Sequence, residues 1–153
     1  MLKEFVEKKH YRFVDHIDTW EDAIRESYKS LEADGTVDPS YADLIIDCVK
    51  KYGPYIVIMP NVAMPHSTEN ADGVHKTAIG FMKVEDPVSF DDNDPDKKAQ
   101  LFFTLAACDG TEHLKNMQNL VGLLSNEELV AELANAKSAD DLLRLSEKYE
   151  NEE

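Results

Sequence analysis

The chain has 153 residues, enough for one domain spanning 1–153 with a full hydrophobic core, and its 42% hydrophobic and 31% charged residues mark it as globular rather than disordered. A formal charge of −15 excludes a nucleic-acid partner, whose phosphates would be repelled, and favours a basic protein partner. No stretch approaches the ~20 apolar residues of a membrane span, and Met1-Leu2-Lys3-Glu4-Phe5 lacks the apolar core of a signal peptide, so direct membrane insertion is not expected and a cytoplasmic location is.

In chain order, the charged residues 2–9 are compatible with either a short helix or a loose segment. Tyr11 to Ile17 alternates apolar and polar residues, as an edge strand with one wet face does. Thr19-x-x-Asp22 fits a capping box, and Trp20, Ile24, Ser27, Tyr28 and Leu31 follow at helical spacing until Gly35. Asp38-Pro39 opens a second helix, with an acid at the cap and proline at the first helical position. Its stripe of Tyr41, Leu44, Ile45, Cys48, Val49 and Tyr52 ends at Gly53.

Gly53-Pro54-Tyr55-Ile56-Val57-Ile58-Met59-Pro60-Asn61-Val62-Ala63-Met64-Pro65-His66-Ser67 is the most informative stretch. Its first half is a continuous apolar run that predicts a strand buried on both faces. Pro60 and Pro65 remove two backbone donors and fix two φ angles, so the chain must leave the sheet and hold His66 in a rigid turn. Ser67 to Gly73 reads as a polar loop. Thr77 to Val84 predicts a second apolar strand, Glu85 to Lys98 an acidic connection carrying Pro87 and Pro95, and Leu101 to Ala107 a third buried strand. Three helices close the chain: one from about Thr111 to Leu124, one opening with Ser125-Asn126-Glu127-Glu128, and one opening with Ser138-Ala139-Asp140-Asp141.

The order is strand, two helices, three strands, three helices. Nearly all-apolar strands need helices on both faces, so the expected fold is α/β, a three-layer α/β/α sandwich with a mixed sheet. The third strand ends in Cys108-Asp109-Gly110-Thr111-Glu112-His113-Leu114, a tight turn into a helix, which puts His113 in a first turn whose unpaired N–H groups and dipole favour an anion. If this strand end lies beside that of Met59, a group on His66 faces His113 and those amides.

Ala63-Met64-Pro65-His66 after an apolar strand resembles the phosphorylation-site motif of IIA components of the sugar phosphotransferase system, mannitol/fructose class. Tyr52-Gly53-Pro54-Tyr55-Ile56-Val57-Ile58 resembles the L-ascorbate branch, and Glu112-His113-Leu114 the segment with the family's second active-site histidine. The resemblance covers residues from about 10 to 148 and implies a single type-2 IIA domain with the same sandwich. It implies a phosphotransferase in which His66 takes phosphate from phospho-HPr through a phosphohistidine intermediate. His113 and nearby amides would hold the phosphate oxygens. The phosphoryl group would pass to a IIB component and, through a membrane IIC component, to L-ascorbate or a related sugar. The scheme requires no metal or nucleotide cofactor. Where many mannitol-class members carry an arginine, this chain has Lys50 and Lys51, point charges without a bidentate fork, and that role is not carried over.

Other readings stand beside these. His66 and His113 could be a backbone-capping loop histidine and a solvated helix histidine. His10, His16 and His75 sit in polar contexts and read as surface residues. A zinc site from His66, His113 and Cys108 lacks a local ligand pair. Cys108 beside Asp109 could suggest a cysteine hydrolase, but a cysteine at the end of an apolar strand reads as core filler, and no oxyanion motif accompanies it. The two cysteines have no CxxC spacing and fit a reducing compartment. Asp92-Asn93-Asp94-Pro95-Asp96 is not a calcium loop, because Lys97 and Phe103 stand where glycine and glutamate are required. It reads as a solvated turn, or as the border of a docking site for a basic carrier. The competing function is a regulatory IIA-like module of the nitrogen-regulatory type that feeds no transporter.

Overall fold

A computed structural model describes residues 1–67 and 72–150; the middle of the expected polar loop lies outside the described residues. The elements are α1 (Leu2–Glu7), β1 (Tyr11–Val14), α2 (Trp20–Ser27), α3 (Lys29–Ala33), α4 (Pro39–Tyr52), β2 (Val57–Met59), β3 (Asn61–Ala63), β4 (Ala78–Ser89), β5 (Lys98–Ala106), α5 (Gly110–Leu124), α6 (Glu127–Ala134) and α7 (Ala139–Tyr149). The strands form one mixed sheet in the order β1-β4-β5-β3-β2. β1 runs parallel to β4 and β3 parallel to β5, while β4/β5 and β2/β3 are antiparallel. Side chains alternate across the sheet and feed two cores. One includes Ile24, Leu31, Ile45, Met82 and Phe102 beneath α2–α4; the other includes Phe5, Phe81, Phe103, Leu120, Leu133 and Leu145 beneath α1 and α5–α7. This is the expected α/β/α sandwich, with an N-terminal helix added and two elements divided.

The first helical stretch divides at Tyr28, whose N–H bonds to Arg25 O in a tighter i→i−3 turn. Thr19 caps it as expected, with the Asp22 N–H donating to Oγ1 at 3.1 Å. The central apolar run is not one strand buried on both faces. β2 is the sheet's edge, with Val57 buried and Ile58 38% exposed. Proline cannot extend a ladder, and after Pro60 the chain turns back through Asn61, at φ +73°, in the left-handed region asparagine tolerates. It is β3, after this turn, that enters the sheet beside β5 and leads to His66.

β4 continues beyond the expected end at Val84 to Ser89, because a register irregularity between Lys83 and Val88 absorbs Pro87. Asn126, not Ser125, caps α6, its Oδ1 accepting from the N–H groups of Glu128 and Leu129 at 3.1 and 3.2 Å. His10 is not a surface residue. It is 4% exposed, with Nε2 2.6 Å from Asp34 Oδ2. Lys83, read only as part of an apolar strand, is 1% exposed and donates Nζ to Glu85 and to Ala136 O, which ties the α6–α7 connection to the sheet. Cys48 is buried, but Cys108 is exposed and fills no core, because β5 ends at Ala106 and the chain is already leaving the sheet.

Candidate functional site

The site forms where β3 and β5 end side by side. Ala63 pairs with Phe102, the Leu105 N–H bonds to Pro65 O at 3.0 Å, and the Met64 N–H bonds to Ile56 O at 2.7 Å. Pro65 O also accepts the Tyr28 hydroxyl at 2.9 Å, and the same hydroxyl lies 2.8 Å from Leu105 O. Tyr28 is fully buried, and burial holds its phenol well above the ordinary value of 10. It therefore remains a donor at all working pH. The residue before His66 is thus held from the sheet and from the helical layer beneath it.

His66 is half-buried, with Nδ1 2.5 Å from Met64 O. A carbonyl oxygen can only accept, so Nδ1 carries the proton and Nε2 keeps its lone pair. The Tyr55 ring meets the His66 ring edge to face, with centroids 5.2 Å apart at 89°, and the Tyr55 hydroxyl donates to His66 O. The structure brings the second histidine alongside: the His113 ring centroid is 5.7 Å from that of His66. Burial pulls both imidazoles below the ordinary 6.5. For His66 the bond to Met64 O works against this, and the neighbouring His113 adds to it. Both rings are predominantly neutral at pH 7.

The helix mouth differs from the expected row of open amides. Asp109 caps α5 through Oδ1, which takes the Glu112 N–H at 2.8 Å, and the His113 N–H bonds to Asp109 O at 3.1 Å. A carboxylate occupies the donor an anion would use. Thr77 braces the turn, its Oγ1 accepting from the Cys108 N–H at 3.0 Å and donating to Glu112 Oε1 at 2.5 Å. Lys50 and Lys51 lie in the exposed last turn of α4, Lys51 Nζ 5.0 Å from the Tyr52 ring centroid. The strand end next to β5 is that of β3, so the expected neighbour, Met59, is displaced by one strand.

Residues 4–149 match the family model for the phosphoenolpyruvate-dependent sugar phosphotransferase system, EIIA 2. The chain belongs to this family. An ascorbate-specific EIIA component of Escherichia coli K12 is 33% identical over 142 residues, covering 91% of this chain and 90% of that one. Among solved structures, a PTS IIA domain from Streptococcus pyogenes superimposes with a TM-score of 0.85 at 30% identity, over 99% of this chain and 96% of that one. Enzyme IIA for mannitol, in its complex with phosphorylated enzyme IIB from E. coli, does so with a TM-score of 0.74 at 30% identity, over 88% and 92%. The sequence thus encodes a IIA phosphocarrier of the phosphotransferase system, and the transferase reading follows from family membership.

Within this EIIA domain, sequence reasoning passed over three residues at the site. Tyr28 reads as one member of an apolar helical stripe, Thr77 as the first residue of a strand, and Tyr55 as part of an apolar run and of the segment resembling the L-ascorbate branch, none with a role at the site. Among the described residues, no group of three or more His, Cys, Asp or Glu is arranged to hold a metal ion, and no helix is long and apolar enough to cross a membrane.

Proposed function

We propose that His66 is the phosphoryl acceptor of this IIA domain and that His113 holds the phosphate oxygens. The observation that carries this is the bond from Nδ1 to Met64 O, which selects the tautomer with a nucleophilic Nε2, with a second, neutral imidazole 5.7 Å away by ring centroids. The Nε2 lone pair forms a bond to phosphorus as the phosphorus–nitrogen bond of phospho-HPr breaks, and the leaving electron pair stays on the HPr imidazole. The Nδ1 proton does not move. It donates to Met64 O more strongly once the ring shares positive charge, which stabilises the intermediate until the group leaves for a cysteine on a IIB partner. The similarity to the ascorbate-specific component supports L-ascorbate or a related acidic sugar as the transported substrate, with a membrane IIC component downstream and the IIA domain in the cytoplasm.

Intact-mass measurement after incubation with phosphoenolpyruvate, enzyme I and HPr tests the reading. One acid-labile phosphoryl group is expected on the wild type and none on His66→Ala; a His66→Ala variant that still takes the group overturns it. His113→Ala is expected to be phosphorylated but to pass the group to IIB poorly. Wild-type behaviour of that variant in both half-reactions removes His113 from the mechanism. Transfer to a IIB protein separates this role from the nitrogen-regulatory type of module, which would bind a regulator and load no IIB.

A further inference from the structure

The Gly53-Pro54-Tyr55 turn has no part in the transfer as described. Gly53 ends α4 at φ +87°, a conformation that L side chains rarely adopt. The Tyr55 N–H then bonds to Gly53 O at 2.7 Å and the Val57 N–H to Pro54 O at 3.2 Å. With Pro54 fixing its own φ, this segment has little freedom, and its product is the placement of one side chain. Tyr55 grips His66 twice, by ring edge against ring face and by hydroxyl against carbonyl oxygen. The two contacts do different jobs. The hydroxyl fixes the backbone on the far side of the histidine from Pro65, while the ring limits the rotation about χ2 that would carry Nδ1 away from Met64 O.

We propose that Tyr55 is a positioning residue for phosphoryl transfer: its ring holds the His66 imidazole in the one orientation that keeps Nδ1 on Met64 O and leaves Nε2 available for attack. This rests on the reading of His66 as the acceptor. The aromatic ring is the main requirement and the hydroxyl a secondary one, because the imidazole plane is set by the packing contact. Tyr55 supplies no charge to the phosphate. It acts through the histidine, by steric restriction of the ring.

The test pairs ¹⁵N NMR of histidine-labelled, unphosphorylated protein with phospho-HPr transfer kinetics on wild type, Tyr55→Phe and Tyr55→Leu. Amide spectra establish that each variant is folded. Wild type and Tyr55→Phe are expected to show the Nδ1–H tautomer at His66, with transfer rates within about threefold of each other. Tyr55→Leu is expected to mix tautomers and to lose roughly ten- to a hundredfold in kcat at unchanged KM for phospho-HPr. A Tyr55→Leu protein with the wild-type tautomer and rate overturns the proposal. So does a loss confined to KM, which would make Tyr55 a docking contact. Failure of the underlying reading is separable, since it shows as a His66→Ala protein that still accepts the phosphoryl group, whereas the tautomer measurement needs no phosphate.

Discussion

At the scale of single residues, the site works by withholding options from one imidazole. Burial disfavours the protonated ring of His66, so its titration midpoint lies below 6.5. Phosphate acceptance is therefore expected to be flat from about pH 7 upward and to fall as pH drops through that midpoint, measured as single-turnover transfer from phospho-HPr. The linkage has the same sign: the unfolded chain binds the proton more readily, so this group's contribution to stability is present above about pH 6.5 and is lost progressively as pH falls below it. Asp34 behaves differently. Burial opposes its ionisation, but hydrogen bonds from the Thr36 hydroxyl and amide and from His10 outweigh this and hold it at about 2. Its depressed value stabilises the fold above about pH 4, and that contribution is lost as pH falls toward 2. Tyr28→Phe deletes the donor shared by the Pro65 and Leu105 carbonyls. A loss of about 1–3 kcal/mol is expected, read as a lower denaturant midpoint at unchanged m-value.

At the scale of elements, the site is an edge hairpin pressed against the start of a helix, and each part has a local device that fails in a distinct way. Gly53→Ala forces an L side chain into φ +87° with open space around it, so its cost of about 1–2 kcal/mol is conformational rather than steric. Because the turn also aims Tyr55, the variant is expected to slow transfer as well as lower the melting temperature. Asn126→Ala removes the α6 cap for a similar cost of about 1 kcal/mol and is expected to leave transfer untouched, since among the described residues α6 supplies no contact to His66 or His113. Thermal melts alongside transfer assays on the two variants separate these outcomes.

The same scale explains what the sequence made legible. His66 and His113 stood out as candidates because each follows a chain-local signal, a proline after an apolar run and a turn into a helix. The hairpin was not legible: a short apolar run does not disclose which strand lies at the sheet's edge, and Pro60 announces a break without its direction. His10 read as polar surface because its partner, Asp34, is 24 residues away. The role of Asp109 as cap is written in the sequence, an acid three residues before Glu112 as Thr19 stands three before Asp22, so the helix mouth reads as partly filled by its own carboxylate.

At the scale of the whole molecule, the site occupies one end of the sheet. β4 begins and β5 ends beside His66, so the acidic Asp91–Asp96 turn that joins them lies at the opposite end of the nine-residue β5, roughly 25 Å away. It therefore does not border the site, contrary to one expectation. Its carboxylates are partly spent on the turn itself, with Asp91 accepting the Asn93 N–H and Asp94 the Asp96 N–H. The Debye length at physiological salt is about 8 Å, so a triple Asp92→Asn, Asp94→Asn, Asp96→Asn variant is expected to change the phospho-HPr encounter rate less than about twofold in 0.15 M salt. Stopped-flow measurement at two ionic strengths checks this, with the overall −15 charge supplying whatever salt dependence remains.

One carbonyl oxygen, that of Pro65, receives a donor from the strand β5 and another from the buried helical side chain Tyr28. Two layers thus terminate on the atom next door to the reactive ring, which leaves it no slack of its own. Any slippage between sheet and helices is transmitted to the nucleophile before the fold gives way. On warming, phosphate uptake is accordingly expected to fail several degrees below the calorimetric transition, so that the catalytic group acts as the most sensitive thermometer of its own scaffold.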